Sequence, residues 1–247
     1  FFHAQDGIRD CLLSRGLGDV YKRQPLYIVP TPIGNLADIT YRAIEILKNA
    51  DIIYAEDTRT SKKLLNHYSI NSRLESFHKH NEHAKLNGII KKLEQKNNVA
   101  VISDAGTPGI SDPGFLLVRE SIVSGFQVFC LPGPTALIPA IIQSGFPTDR
   151  FVFEGFLPIK KGRKKRLEEL ANECRTVILY ESPHRILKSL KQFVQFFDES
   201  REISIVRELT KKFETQFRGS IYQAIEFYEK NKPKGEFVIC ISSLKEH

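Results

Sequence analysis

The order of apolar runs along this chain predicts an α/β protein made of two successive α/β domains, the first on a mostly parallel sheet and the second on a mixed one. Three observations predict it. Across residues 25–148, short strand-like runs alternate with amphipathic stretches, the pattern of a parallel sheet covered by helices on both faces. Across residues 149–247, strand-like runs outnumber helical ones, which suits a mixed sheet. The turn cluster Gly145-Phe-Pro-Thr-Asp149 lies between the two blocks and marks the hinge.

The first block opens with Leu26-Tyr-Ile-Val29, a short apolar run ended by Pro30 that reads as a buried strand. Apolar residues at Ile39, Ala43, Ile44, Ile46 and Leu47 give residues 39–50 a helical period. Strands are expected at 52–55, 99–103 and 128–131, and helices at 81–95, 115–124 and 135–144. In the second block the strand-like runs are 151–156, 177–180, 203–206, 213–217 and 237–241, and the helical ones 163–172, 185–197 and 221–229.

Composition sets the outer limits. With 247 residues, 41% of them hydrophobic and 10% aromatic, the chain is no disordered tail and can form two modest domains. Its most apolar stretch, 129–146, is broken by Pro132, Gly133, Pro134, Pro139 and Gly145, so it is not a membrane-spanning helix. Cys11, Cys130, Cys174 and Cys240 are far apart, which argues against a disulfide framework or a cysteine zinc site and for a reducing, cytoplasmic setting. In residues 1–24, Asp6, Gly7, Asp10, Gly16 and Gly18 interrupt any period, and this segment is expected to be an appended, non-native leader. The chain contains no methionine, which suits a start that has been replaced.

Three strand ends run into Gly/Pro loops, at 30–36, 103–114 and 132–136. Small residues let the backbone approach a ligand, and helix N-termini after such loops present free N–H groups. Three such loops at equivalent strand ends point to a pocket beyond the carboxyl edge of the sheet. A phosphate cradle would bring a Lys or Arg, yet 103–114 holds Asp104 and Asp112 with no basic residue, and the other two loops hold none either. A ligand that is partly cationic, with an ammonium and a sulfonium, is better matched.

Five motifs carry a resemblance: Leu26-Tyr-Ile-Val-Pro-Thr-Pro-Ile-Gly-Asn-Leu36, Ala55-Glu-Asp-Thr-Arg59, Ser103-Asp-Ala-Gly-Thr-Pro-Gly109, Leu131-Pro-Gly-Pro-Thr135 and Tyr180-Glu-Ser-Pro-His-Arg185. In this order, over residues 25–243, they resemble the bacterial small-subunit ribosomal RNA methyltransferase I family, within the tetrapyrrole methylase-like superfamily of S-adenosylmethionine enzymes. The resemblance implies a donor cleft between the two domains, a cytoplasmic homodimer, and methylation of a cytidine ribose 2′-hydroxyl in the decoding region of 16S rRNA within the small ribosomal subunit. It also implies donor-binding residues: Pro32, Gly34 and Asn35; Ser103, Asp104, Ala105, Gly106, Thr107 and Gly109; Pro132, Gly133, Thr135 and Ala136; and Tyr180, Glu181 and Ser182. The glycine-rich first loop of tetrapyrrole methylases is reduced here to Gly34.

Transfer to a hydroxyl requires in-line alignment and help for a developing alkoxide, from a base or from a fixed positive charge. The candidates are Asp57 beside Glu56 and Arg59, Glu181 beside His184 and Arg185, and Lys211 beside Glu208. A structural alternative exists for each: Asp57 and Arg59 can pair and cap a helix, and His184 can fix a helix start after Pro183. Lys160, Lys161, Arg163, Lys164, Lys165 and Arg166 place six positive charges in seven positions at a helix start, where the dipole disfavours them and phosphates would offset the cost. Arg59, His184, Arg185 and Lys212 complete the residues expected to contact RNA. His78, His80 and His83 lack a cysteine partner and read as polar surface, so no metal is expected. The other readings kept open are a tetrapyrrole C-methyltransferase and a non-catalytic RNA-binding protein on the same fold.

Overall fold

The computed structural model describes residues 24–243. Residues 1–23, with Cys11 and nearly all of the expected leader, lie outside the described residues.

The first sheet contains β1 (Leu26–Ile28), β2 (Ile52–Ala55), β3 (Arg73–Ser76), β4 (Val99–Ile102) and β5 (Val128–Cys130), all parallel, in the order β3-β2-β4-β1-β5. Residues alternate between its two buried faces. Ile53, Ala55, Ala100 and Ile102 pack on α1 (Tyr41–Asn49) and α2 (Thr58–His67), while Ile52, Tyr54, Val99 and Val101 pack on α3 (Glu82–Glu94) and α4 (Phe115–Val123). The helix after β1 thus covers one face and the helix after β4 the other. A crevice opens between the carboxyl ends of these neighbouring strands, where α/β sheets bind ligands. The caps fix where the helices start: the Thr40 hydroxyl accepts from Ala43 N–H, and the Asp57 carboxylate accepts from Arg59 N–H.

The second sheet runs β6-β7-β10-β8-β9, built from β6 (Phe151–Phe156), β7 (Thr176–Glu181), β8 (Glu202–Arg207), β9 (Thr215–Ser220) and β10 (Phe237–Ile241). Only β6 and β7 pair parallel, so the sheet is mixed as expected. One face, with Val177, Leu179, Ile203, Ile239 and Ile241, is covered by α6 (Arg163–Ala171), α7 (Ile186–Phe196) and α8 (Ile221–Lys230). The other face receives α5 (Leu137–Ser144), whose Ala140 and Ile141 lie on Ile178, Val206, Val238 and Cys240. The helix that follows the first sheet therefore seals the second sheet and draws the two together.

Two elements were not given a range in the sequence, α2, of which only the start capped by Asp57 was expected, and β3. The first is dominated by Arg59, Lys62 and Lys63 and buries only Ser61, Leu64 and Leu65; the second, Arg-Leu-Glu-Ser, is a polar edge strand. The strand expected at 213–217 begins two residues later. The Glu214 carboxylate accepts from Thr210 N–H and its own N–H donates to the Lys211 carbonyl, so residues 208–214 turn and leave Phe213 exposed. No helix among the described residues is long and apolar enough to cross a membrane.

Candidate active site

The three Gly/Pro loops are tied into one unit. Thr31 and Gly106 exchange backbone hydrogen bonds of 2.9 Å, joining the β1 and β4 loops. The Thr31 hydroxyl donates to the Ser103 carbonyl, the Ser103 hydroxyl to the Gly106 carbonyl, and the Thr107 hydroxyl to the Pro134 carbonyl. At Gly133 the backbone passes so close to Pro30 that an added Cβ would sit 2.7 Å from the proline ring, so only glycine fits.

These loops form one wall of a cleft of about 330 Å³. The opposite wall comes from the second sheet: Phe156, Tyr180 to Pro183, Val206, Leu209 and the start of β10 at Glu236 to Val238. The Tyr180 ring packs edge-on against Phe156 and Phe153, and its hydroxyl, raised in pKa by burial, faces Thr135 and the Leu137 backbone across the cleft. No Lys, Arg or His is among the lining residues, whereas Asp104 and Asp112 are. Burial, then the nearby charges of Glu56 and Asp104, push the Asp112 carboxyl up to about 7, and burial first also raises Glu56 and Asp104. Carboxyls crowded in this way favour a cationic ligand, whose charge would relieve their repulsion.

A second hollow of about 250 Å³ adjoins the first and shares Ile33, Asp104, Ala105 and Glu236 with it. Lys211 lies on its rim, with Nζ 3.0 Å from Glu208 Oε1 and 2.9 Å from Glu236 Oε2. Burial opposes the ammonium, but these two carboxylates hold its pKa above the usual lysine value. Gly34 touches this hub: an added Cβ would meet Lys211 Cγ at 2.4 Å and Thr210 Oγ1 at 2.9 Å.

The expected donor residues are distributed over this framework. Asp104 to Thr107, Thr135, Ala136 and Tyr180 to Ser182 line the first chamber; Pro32, Gly34 and Ser103 line the second. Gly109, Pro132 and Gly133 line neither chamber, and the Asn35 side chain caps the short helical turn Leu36–Asp38. The three catalytic candidates do not converge. Lys211 reaches the second chamber, whereas Asp57 caps α2 and is held down to about 2 chiefly by its hydrogen bonds with Arg59. The Glu181 side chain points to the helix-covered face, accepting from Ser189 Oγ at 2.6 Å and pairing with Arg185 at 2.9 Å and Arg163 at 4.0 Å.

The basic run also divides. Arg163 is buried and donates to Gln192, Ser189 and the Pro158 carbonyl, and Arg166 pairs with Glu154 and Glu169. Lys160, Lys161, Lys164 and Lys165 face solvent a few residues beyond Phe156 of the cleft wall. Arg59, His184 and Lys212 are exposed as well, and Arg185 lies over the Phe156 ring. Asp112, Phe156, Leu209 and Glu236 were not expected at the site by residue. Asp112 stood in a loop already marked; the place of Glu236 follows only from the antiparallel pairing that sets Phe237 opposite Glu181.

The model of the Tetrapyrrole (Corrin/Porphyrin) Methylases matches residues 25–225. The chain belongs to that family. It is 49% identical over 218 residues to the "Ribosomal RNA small subunit methyltransferase I" of Synechocystis, covering 88% of this chain and 78% of the relative. Proteins of the same name from Escherichia coli and Thermotoga maritima are 48% and 45% identical, covering 89% and 88% of this chain and 78% and 97% of their own. Among solved structures, the uroporphyrin-III-C-methyltransferase of Thermus thermophilus superposes with a TM-score of 0.61 at 15% identity, covering 88% of this chain and 94% of its own. A cobalt precorrin-4 methyltransferase superposes with 0.62 at 17%, covering 87% and 94%. At these identities the two structures establish the tetrapyrrole methylase fold, and the relatives establish a methyltransferase.

Proposed function

We propose that this methylase transfers a methyl group from S-adenosylmethionine to the ribose 2′-hydroxyl of a cytidine in the decoding region of small-subunit ribosomal RNA. One observation carries the reading: a chamber between the two sheets is walled by three cross-tied loops and bears carboxylates without a single basic residue, in a chain nearly half identical to ribosomal RNA methyltransferases. The chamber fits the donor chemically. Asp104 and Asp112 would hold its cationic groups, and Tyr180 and the loop backbone would hold the remainder. When bound, the donor supplies a sulfonium methyl: the O–C bond forms as C–S breaks, the electron pair stays on sulfur as a neutral thioether, and the hydroxyl proton leaves to a carboxylate or water.

The chain's own task is alignment and charge. The tied loops fix one reactant against the wall shared by the two chambers, and Lys211 sets a positive charge beside that wall for the oxygen that becomes alkoxide-like. The exposed lysines 160, 161, 164 and 165 extend a polyanion surface beside the cleft. The reading includes a cytoplasmic homodimer working on the small ribosomal subunit. Exposed Phe115, Ile122 and Val123 on α4 and Phe129 on β5, the open edge of the first sheet against which α4 packs, support that assembly.

The test supplies tritiated methyl donor with small subunits, naked rRNA or a precorrin, and maps the label. Label on a cytidine ribose is expected, and Lys211→Ala should slow single-turnover transfer by roughly 100-fold. Label on a base or on the precorrin would overturn the assignment.

A further inference from the structure

Three charged side chains meet beside the wall that the two chambers share. Lys211 Nζ stands between two carboxylates, Glu208 Oε1 at 3.0 Å and Glu236 Oε2 at 2.9 Å, so the group carries one negative charge more than it balances. The two carboxylates are placed differently. Glu208 is built in: its backbone takes the left-handed conformation (φ +55°), its N–H donates to the Glu236 carbonyl at 2.9 Å, and its Oε1 also accepts the Glu236 N–H at 3.0 Å. Gly235 makes room for it, since an added Cβ there would collide with the Glu208 carboxylate. A left-handed backbone under a side chain is costly and persists where the surroundings impose it, most often at functional sites. Glu236 is the accessible member. Its side chain is 75% exposed against 18% for Glu208, it lines both chambers, and among the described residues only Lys211 engages its carboxylate, through Oε2. Asp104 borders both chambers too, but one of its oxygens accepts the Asp57 N–H at 2.9 Å, and it belongs with Glu56 and Asp112 to the crowded carboxyls that match a cationic donor.

We infer that Glu236 is the proton acceptor of the transfer, and that Lys211 and Glu208 position it. The inference rests on the proposed methylation of a ribose hydroxyl and adds which group takes the proton. A base must lie within hydrogen-bond reach of the proton it removes, and Glu236 belongs to the wall at which a hydroxyl would meet the methyl carbon. As the O–C bond forms, the O–H bond breaks with its electron pair kept on oxygen, and the proton passes to the Glu236 carboxylate on the oxygen that Lys211 does not hold. The pair of the breaking C–S bond stays on sulfur. The sulfonium thus loses its positive charge in the same step in which Glu236 loses its negative one, so the cleft begins and ends with the same net charge. Lys211 keeps Glu208 as counter-charge once Glu236 is neutral, which accounts for the second carboxylate on one ammonium.

The experiment compares wild type with Glu236→Gln, Glu236→Asp and Glu208→Gln. Donor affinity is measured by calorimetry, and single-turnover methylation of small ribosomal subunits is followed at saturating donor from about pH 5 to about pH 9. The charged groups around Glu236 are Lys211, Glu208 and Arg207 at the end of β8 and its turn, Lys234 on its own loop, and Asp104 and Lys63 on the second chamber. All of them remain in the two Glu236 variants. In wild type the rate is expected to fall toward acid pH, where the acceptor already holds a proton. Glu236→Gln should slow transfer about 1000-fold and lose that acid limb with donor affinity within about threefold, whereas Glu236→Asp should keep the limb and recover about tenfold in rate. Glu208→Gln removes a negative charge beside the acceptor and should move the limb to lower pH, which a purely structural role would not do. A Glu236→Gln enzyme at the parental rate or with its acid limb intact, or no recovery in Glu236→Asp, would send the proton elsewhere and overturn the inference while leaving ribose methylation standing. Loss of donor affinity in step with the rate would make Glu236 a donor contact and overturn it also, and an unmoved limb in Glu208→Gln would remove Glu208 from the arrangement. No ribose label from wild type would reject the reaction itself and the proton acceptor with it.

Discussion

Asn in place of Asp112 separates what this carboxyl does for the fold from what it does for the donor. Unperturbed, the group titrates near 3.8; in the folded chain burial, then Glu56 and Asp104, push it up to about 7. Between those values the native state holds more protons than the unfolded one, so its contribution makes stability fall as pH rises from about 4 to about 7 and stay level above. A rise from 3.8 to about 7 corresponds to roughly 4 kcal/mol for a fully sealed group. Asp112 is only partly buried, and solvent screening reduces this to ~1–2 kcal/mol. Asp112→Asn should therefore match the parent in urea unfolding at pH 4 and exceed it by that amount at pH 8. The same change removes a counter-charge from the donor chamber, so donor affinity at pH 8 should fall by about tenfold, as for a lost charge-assisted contact. Saturating donor, worth about 1.4 kcal/mol more to the parent for a tenfold difference in affinity, would then cancel most of the variant's advantage. An equal gain at both pH values, or unchanged donor affinity, would refute the account of these carboxyls.

Two further outcomes follow from close contacts. Gly34→Ala places a methyl group against Lys211 Cγ and Thr210 Oγ1, forcing the loop after β8 away from the loop after β1 at a cost of ~1–3 kcal/mol; transfer should slow more than tenfold while donor affinity changes less than threefold, both read in single-turnover and calorimetric assays. The basic run should split by position. Arg163→Ala removes a buried partner of Glu181 and should lower stability by ~3 kcal/mol in denaturant unfolding, whereas Lys164→Glu with Lys165→Glu should leave stability nearly unchanged and reduce the salt slope of RNA binding by about two.

Much of this architecture was legible because its signals are local. Apolar runs ending in Gly/Pro loops at Val29, Ile102 and Leu131 marked three strand ends, and the absence of basic residues in those loops already indicated the sign of the ligand. The second chamber was not legible. Lys63 and Lys211 are 148 residues apart in the chain and become neighbours only when α5 draws the second sheet onto the first.

Two placements lay between these cases, because the periodicities that predicted the fold also contained them. Arg163, Leu167 and Leu170 fall at i, i+4 and i+7, the buried stripe of α6, so the helical period alone separates Arg163 from Lys164 and Lys165 within a run that looks uniformly basic. In β7, Val177, Leu179 and Glu181 share the face covered by helices, while Ile178 and Tyr180 share the face toward α5 and the cleft. A two-residue period therefore turns the Glu181 carboxylate toward Ser189 and Arg185 and the Tyr180 ring toward the donor chamber. Motif membership treats Tyr180 and Glu181 as one unit; strand geometry assigns the first to the ligand and the second to the ion-pair network that anchors α6 and α7 behind it.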